Sequence, residues 1–339
     1  MKQLFLSFFF VMALLSSLSG QAGGEGVFNF LRLNNSAETA ALGGIQIAMP
    51  YPDPELILQN PSLLSPEMTN KVSASYAKYL AGIGFGYVAF ARDYGKYGTA
   101  ALGIQFADYG QFVAADETGT VTGSFSASDY ALTMSYAKKI GSLCTAGASI
   151  KPIYSHLENY RSFGLAFDAG IFRITSDQLT TMAVCFRNLG TQLSTYYEGG
   201  RHEKLEWSLE VGFTHKLKYA PIRLCATAYD LNRWGPVVAE TDPNGIHTTN
   251  GGQTYLSAAM RHISAGAEIF PENKITFRLG YNYRRHADLT VQDQTGLAGF
   301  TTGLGIRLAA IGFNYALSGY YQSGMVHNFS LTTSLSRLK

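Results

Sequence analysis

The residues able to do chemistry are few and scattered. Seven histidines, His156, His202, His215, His247, His262, His286 and His327, show neither a zinc-helix pattern nor paired spacing with acidic neighbours. Serines are plentiful, but none stands in a nucleophile elbow, so no Ser, His and orienting group are marked as a hydrolase. Gly82, Gly84 and Gly86 look superficially like a phosphate loop. They lead into Phe85, Tyr87, Val88 and Phe90, which have strand character, whereas a dinucleotide fingerprint has to open a helix. Cys144, Cys185 and Cys225 fall in alternate strands, at least about 9.5 Å apart across a sheet and beyond the roughly 7 Å limit for a disulfide. We therefore assign no catalytic residue, no metal site, no cofactor and no intrachain bridge. The remaining chemistry is that of charges set among small residues: Asp168, Glu206, Glu210, Arg223, Arg278 and Arg307.

Those charges sit in segments with a period of two. Glu206, Ser208, Glu210, Gly212 and Thr214 alternate with Leu205, Trp207, Leu209, Val211 and Phe213; Thr276, Arg278, Gly280 and Asn282 alternate with Ile275, Phe277, Leu279, Tyr281 and Tyr283. One face is greasy and the other polar, as in a strand between unlike surroundings. Of 339 residues, 15% are charged, well below the roughly 25% of an ordinary soluble domain. A net charge of +2 excludes strong steering of nucleic acid. Lys2, the apolar run Leu4–Leu15 and the small residues up to Gly20 have the layout of a secretory signal over residues 1–20. Beyond it, every apolar run is interrupted well short of a membrane helix.

The segments repeat about fourteen times, near 71–79, 84–92, 98–108, 127–138, 143–155, 160–174, 180–189, 205–217, 221–231, 255–270, 274–285, 300–308, 311–318 and 325–336. Lengths of about 9–13 residues suit a tilted crossing of a bilayer. Short connections alternate with longer ones at 109–126, 190–204, 232–254 and 286–299. This pattern predicts an all-β transmembrane antiparallel barrel over residues 71–339, in the outer membrane, with long loops outside the cell. Arg or Lys on the lipid side at mid-membrane costs about 2–4 kcal/mol, so the six charges are expected to face the lumen and their aromatic and aliphatic neighbours the lipid. Residues 21–70, with Gly43, Gly44, Pro50, Pro52, Pro54, Asn60 and Pro61, are expected to form a plug or periplasmic cap. Tyr196, Tyr197 and Trp234 lie in long loops, where aromatics either anchor a partner or form the interfacial girdle.

An ordered set of segments resembles the PorQ family of the type IX secretion system. The set begins with Phe28-Asn29-Phe30-Leu31-Arg32-Leu33 and Ser36-Ala37-Glu38-Thr39-Ala40-Ala41-Leu42-Gly43-Gly44, followed by Gln59-Asn60-Pro61-Ser62-Leu63-Leu64 and Gly103-Ile104-Gln105-Phe106. Asp108-Tyr109-Gly110, Ser128-Asp129-Tyr130-Ala131-Leu132, Lys151-Pro152-Ile153-Tyr154-Ser155 and Arg187-Asn188-Leu189-Gly190-Thr191-Gln192 ahead of Tyr196-Tyr197-Glu198-Gly199 complete it. The resemblance implies an outer-membrane barrel related to the PorV group and, more distantly, to fatty-acid-transporter barrels of fourteen strands. It further implies a non-enzymatic scaffold that tethers a PorZ-like surface protein beside PorU and PorV, with no catalytic residues. The rival expectation is a transporter or channel for small hydrophobic compounds, favoured by the small interior residues.

Overall fold

The computed structural model describes residues 26–79, 82–233, 255–289, 296–321 and 324–337. The expected signal segment 1–20 and Trp234 lie outside the described residues. Fourteen antiparallel strands close into one barrel. They are β1 (Lys71–Lys78), β2 (Gly84–Asp93), β3 (Thr99–Ala115), β4 (Val121–Ile140), β5 (Cys144–Leu157), β6 (Tyr160–Ile174) and β7 (Thr180–Ser194), then β8 (Ser208–Lys216), β9 (Ile222–Ala228), β10 (Ile263–Ile269), β11 (Ile275–Asn282), β12 (Phe300–Arg307), β13 (Ile311–Tyr321) and β14 (Gly324–Ser334). Each strand pairs with its sequence neighbour, and β1 with β14 from Lys71↔Ser334 to Lys78↔His327 closes the ring.

The alternation read from the sequence is the alternation of burial. On β11, Thr276 and Arg278 are buried while Ile275, Phe277 and Leu279 are exposed; on β3, Ala101, Gln105 and Ala107 are buried while Leu102 and Ile104 are exposed. The exposed set continues round the wall as Leu132, Phe167, Ile171, Val184, Phe213, Leu224, Phe313 and Leu331. A continuous apolar outer band over an inner wall of polar and small groups is the reverse of a water-soluble domain, and it fits hydrocarbon outside. No described helix is long and apolar enough to cross a membrane.

Several boundaries differ from the sequence reading. Residues 109–126 are not a loop: β3 and β4 run on as a hairpin to a turn at 116–120. The expected strand 255–270 begins instead with a helix, α2 (Tyr255–Met260), and only Ile263–Ile269 is strand. The expected strand 274–285 ends at Asn282, because that residue's Oδ1 accepts the Arg285 N–H at 3.0 Å and so caps a helix, α3 (Tyr283–Leu289). β8 starts at Ser208. Leu205, expected on the lipid face, is buried and bridges Val27.

Candidate functional site

Ahead of β1, residues 26–64 pack largely against the inner wall of the barrel, and Pro66 and Glu67 are exposed. This inner segment is built from short turns whose starts are written in the sequence. Ser36, Asp53 and Asn60 each accept a backbone N–H two or three residues on, capping the helix α1 (Ala37–Ala40) and the 3-10 turns Pro54–Leu58 and Pro61–Leu63. Proline at the first position of both 3-10 turns needs no N–H partner and presets φ. The segment threads from one mouth to the other. Val27 N–H donates to Lys204 O at 3.3 Å beside the β7–β8 connection, and Asn70 N–H donates to Ala91 O at 2.9 Å near the β2–β3 turn.

Glycines on the wall let it approach. A Cβ at Gly280 would lie 2.2 Å from Gly43 N, and one at Gly164 would lie 2.3 Å from the Phe28 ring. Phe28, Phe30 and Leu31 are buried against Ala77, Phe85, Ala107, Ala131, Ile153, Ala166 and Val326. An apolar cluster thus joins the segment to the wall near this mouth. At the opposite end the lumen opens to a recess of about 580 Å³ lined by Glu38, Tyr51, Asp53, Glu67, Lys71, Arg307 and Asn314.

Charges fasten the segment to the wall. Arg278 donates through Nε to Glu268 at 2.8 Å, through one terminal nitrogen to Asn314 at 2.8 Å and through the other to Glu38. Arg223 meets Glu268 at 3.2 Å. The Tyr51 hydroxyl donates to Glu268, and its ring lies between the Arg223 and Arg307 guanidinium groups at 4.8 and 4.9 Å. Lys151 pairs with Asp168 at 2.5 Å, and Arg187 with Glu210 at 3.2 Å. Isolated charges in such surroundings would be prohibitive, and pairing with further hydrogen bonds is what makes them tolerable.

Nearer the long connections, Arg32 bridges Glu206 and Asp230, both at 2.5 Å. Arg284 of α3 also meets Asp230, at 2.6 Å, and Arg233 meets Glu206 at 2.9 Å. Burial works against the Asp230 charge, but Arg32 and Arg284 outweigh it and hold that carboxyl well below the usual range. Glu206 is held low in the same way, by Arg233 and Arg32 against its partial burial.

Four of the six charges expected inside, Asp168, Glu210, Arg223 and Arg278, are buried on the inner wall. Glu206 lies in the β7–β8 connection, and Arg307, at the end of β12, donates to Pro271 O at 2.8 Å. Their partners Lys151, Arg187 and Glu268 went unnamed, although the same parity marks them. The loop aromatics divide. Tyr197 is exposed, whereas Tyr196 is half-buried, its hydroxyl donating to Ser155 Oγ at 2.8 Å. Cys144, Cys185 and Cys225 are free thiols on β5, β7 and β9. Among the described residues no group of His, Cys, Asp and Glu is arranged to hold a metal ion.

No family model and no curated protein matches the chain. Solved structures do. The chain is similar to the toluene transporter TbuX of Ralstonia pickettii (TM-score 0.55, 13% identity, 90% of this chain and 99% of that one). It is similar to the toluene transporter TodX of Pseudomonas putida (0.56, 12%, 88% and 98%) and to a FadL homologue of Pseudomonas aeruginosa (0.50, 10%, 89% and 98%). At these identities the likeness is one of fold: the chain is a closed fourteen-strand barrel with the same fold as these proteins.

Proposed function

We propose that the protein is an outer-membrane passage for small hydrophobic compounds, in which residues 26–70 act as a plug that has to shift before a compound crosses. The observation carrying this reading is the apolar cluster at one mouth of the lumen. There Ala77, Ala107, Ala131 and Ala166 of the wall pack against Phe28 and Phe30. A compound of similar size and polarity would meet the same wall, and the fold likeness to transporters of aromatic hydrocarbons supports the choice of class. The test is uptake of N-phenyl-1-naphthylamine into proteoliposomes. Phe30→Ala should raise the rate several-fold over the unaltered protein by emptying part of the chamber. Rates equal to protein-free vesicles for both proteins would end the transport reading.

A second reading has its own support. The ordered PorQ-like segments, several of which lie in the inner segment, favour a non-enzymatic scaffold of the type IX secretion system that tethers a PorZ-like protein near PorU and PorV. The buried ion pairs favour it too, since a lumen fastened shut costs a scaffold nothing. On this reading the long connections face outside the cell, and shortening 232–254, which lies mostly outside the described residues, releases the surface protein from a copurified complex while uptake stays at background. Loss of uptake with the complex intact would favour transport instead.

A further inference from the structure

The hairpin of β3 and β4 outruns both neighbours. Pairing with β2 stops at Gly84↔Asp108, and pairing with β5 stops at Ala127↔Leu157. Beyond those points the two strands pair only with each other, from Gln111↔Ser126 to Ala115↔Val121. On the β4 edge, the Glu158 N–H donates to Ser126 O at 3.0 Å. Above that bond, Val121 to Phe125 meet no further strand among the described residues.

Outward residues date the exit from hydrocarbon. Leu102 and Ile104 on β3, and Tyr130 and Leu132 on β4, are exposed in the apolar band. The next level up is Asp108, Ser128, His156 and Arg161, which are mutual partners across four strands. A row with two formal charges marks the limit of the lipid tails. The hairpin therefore stands beyond the tails, reaching roughly 20 Å along its own axis at about 3.3 Å per residue.

It is apolar, stiff and acidic. Val113 and Val121 are 70% and 65% exposed, and Phe112 stacks on Phe125 at 5.2 Å. The tip is fixed by Asp116, whose Oδ1 accepts from the Thr118 N–H, the Thr118 hydroxyl and the Thr120 N–H at 2.9, 2.6 and 2.9 Å. Those bonds hold the Asp116 carboxyl below its ordinary range, so the tip stays charged. From Thr99 to Ala137 there is no Lys, Arg, His or Pro, and the exposed charges of this stretch are Asp108, Asp116 and Glu117. Free sheet edges are ordinarily guarded by lysine, proline or an irregularity. Here the register shifts fall at the base and the tip, leaving the middle of the edge regular.

We propose that the β4 edge of this hairpin docks an extended edge strand of a soluble protein, one in which Lys or Arg side chains flank apolar, strand-forming residues. The added strand takes up the unpaired backbone groups, its apolar side chains cover Val121 and Phe125, and its cations meet Asp116 and Glu117. Backbone pairing supplies the affinity and the charges the choice of partner. The inference stands whichever of the two functions above holds.

The test uses the full chain in lipid nanodiscs and a fluorescent peptide, Lys-Val-Thr-Val-Lys-Val-Thr-Lys, read by anisotropy. Binding should be at least tenfold tighter than that of the same peptide with Glu for each Lys, and at least tenfold tighter than that of the alternately N-methylated peptide. Joining Gly110 to Ser126 through Asn-Gly should abolish it; Glu117→Lys, which leaves the hairpin intact, should erase the preference for Lys. Equal binding of the Lys and Glu peptides, indifference to N-methylation, or equal binding to empty nanodiscs would overturn the proposal. So would efficient disulfide dimers of Val121→Cys, which would make a second copy the occupant.

Discussion

Arg278 is the residue on which the inner segment turns. It satisfies Glu268 on β10, Asn314 on β13 and Glu38 on α1 at once while 1% exposed. Truncating it strands the buried Glu38 carboxylate and leaves Glu268 to Arg223 and Tyr51, a loss of about 3–5 kcal/mol for a broken buried pair. Arg278→Ala is accordingly expected to lower the urea midpoint of the protein in detergent and expose residues 26–70 to protease. An unchanged cleavage pattern would show that the segment is held by packing alone. Glu55 behaves oppositely. One oxygen accepts from Ser330 Oγ at 2.7 Å, the other has no partner, and burial, with Asp53 close by, pushes the carboxyl well above its ordinary range. A carboxyl that holds its proton more tightly folded than unfolded contributes fully below the unfolded value, about pH 4.3, and loses that contribution as pH climbs through the raised one. Glu55→Gln should flatten the fall in stability that sets in above the unfolded value of about pH 4.3, with a gain at the alkaline end of about 1–3 kcal/mol, the cost of an unsatisfied buried polar group. Parallel stability–pH curves for the two proteins would contradict it. Parity in the sequence marks the wall charges, but nothing local tells Arg278 that its partner is Glu38, 240 residues away.

Among the elements, those that touch lipid were legible and those that leave it were not. Where hydrocarbon covers one face, the pattern has to alternate, and the strands from β3 to β7 begin within a residue or so of expectation except β4. Above the tails that constraint lapses. Residues 109–126, with Gly110, Gly119 and Gly123, break the strict alternation and read as loop, yet pair as a hairpin with the tip turn fixing their register. The same loss of constraint hides α3, whose Arg284 is spent on Asp230. The lipid-facing assignment is directly testable on β11. Leu279→Arg puts a charge on the 54% exposed outer face and should destabilise folding into phosphatidylcholine vesicles by about 2–4 kcal/mol if that site is near the midplane. A change under about 0.5 kcal/mol would place water outside that strand.

For the whole molecule, the closing seam is the strand pairing most distant in sequence among the described residues, Lys71 against Ser334. Pairings of such separation are ordinarily the slowest to form, because a long loop has to be ordered before any contact rewards it. Asp53 changes that situation. Its two oxygens accept from Ser73 on β1 and Thr332 on β14, each at 2.5 Å, while the next acid along, Glu55, takes Ser330 of β14. Since Asp53 is only twenty residues ahead of Ser73, it travels with the first strand and offers the last one a template to zip against from within. Asp53→Ala should lengthen the refolding half-time more than it shifts the equilibrium midpoint. The inner segment thus doubles as a jig for assembly: the part that fills the vessel also marks where its rim is to be soldered.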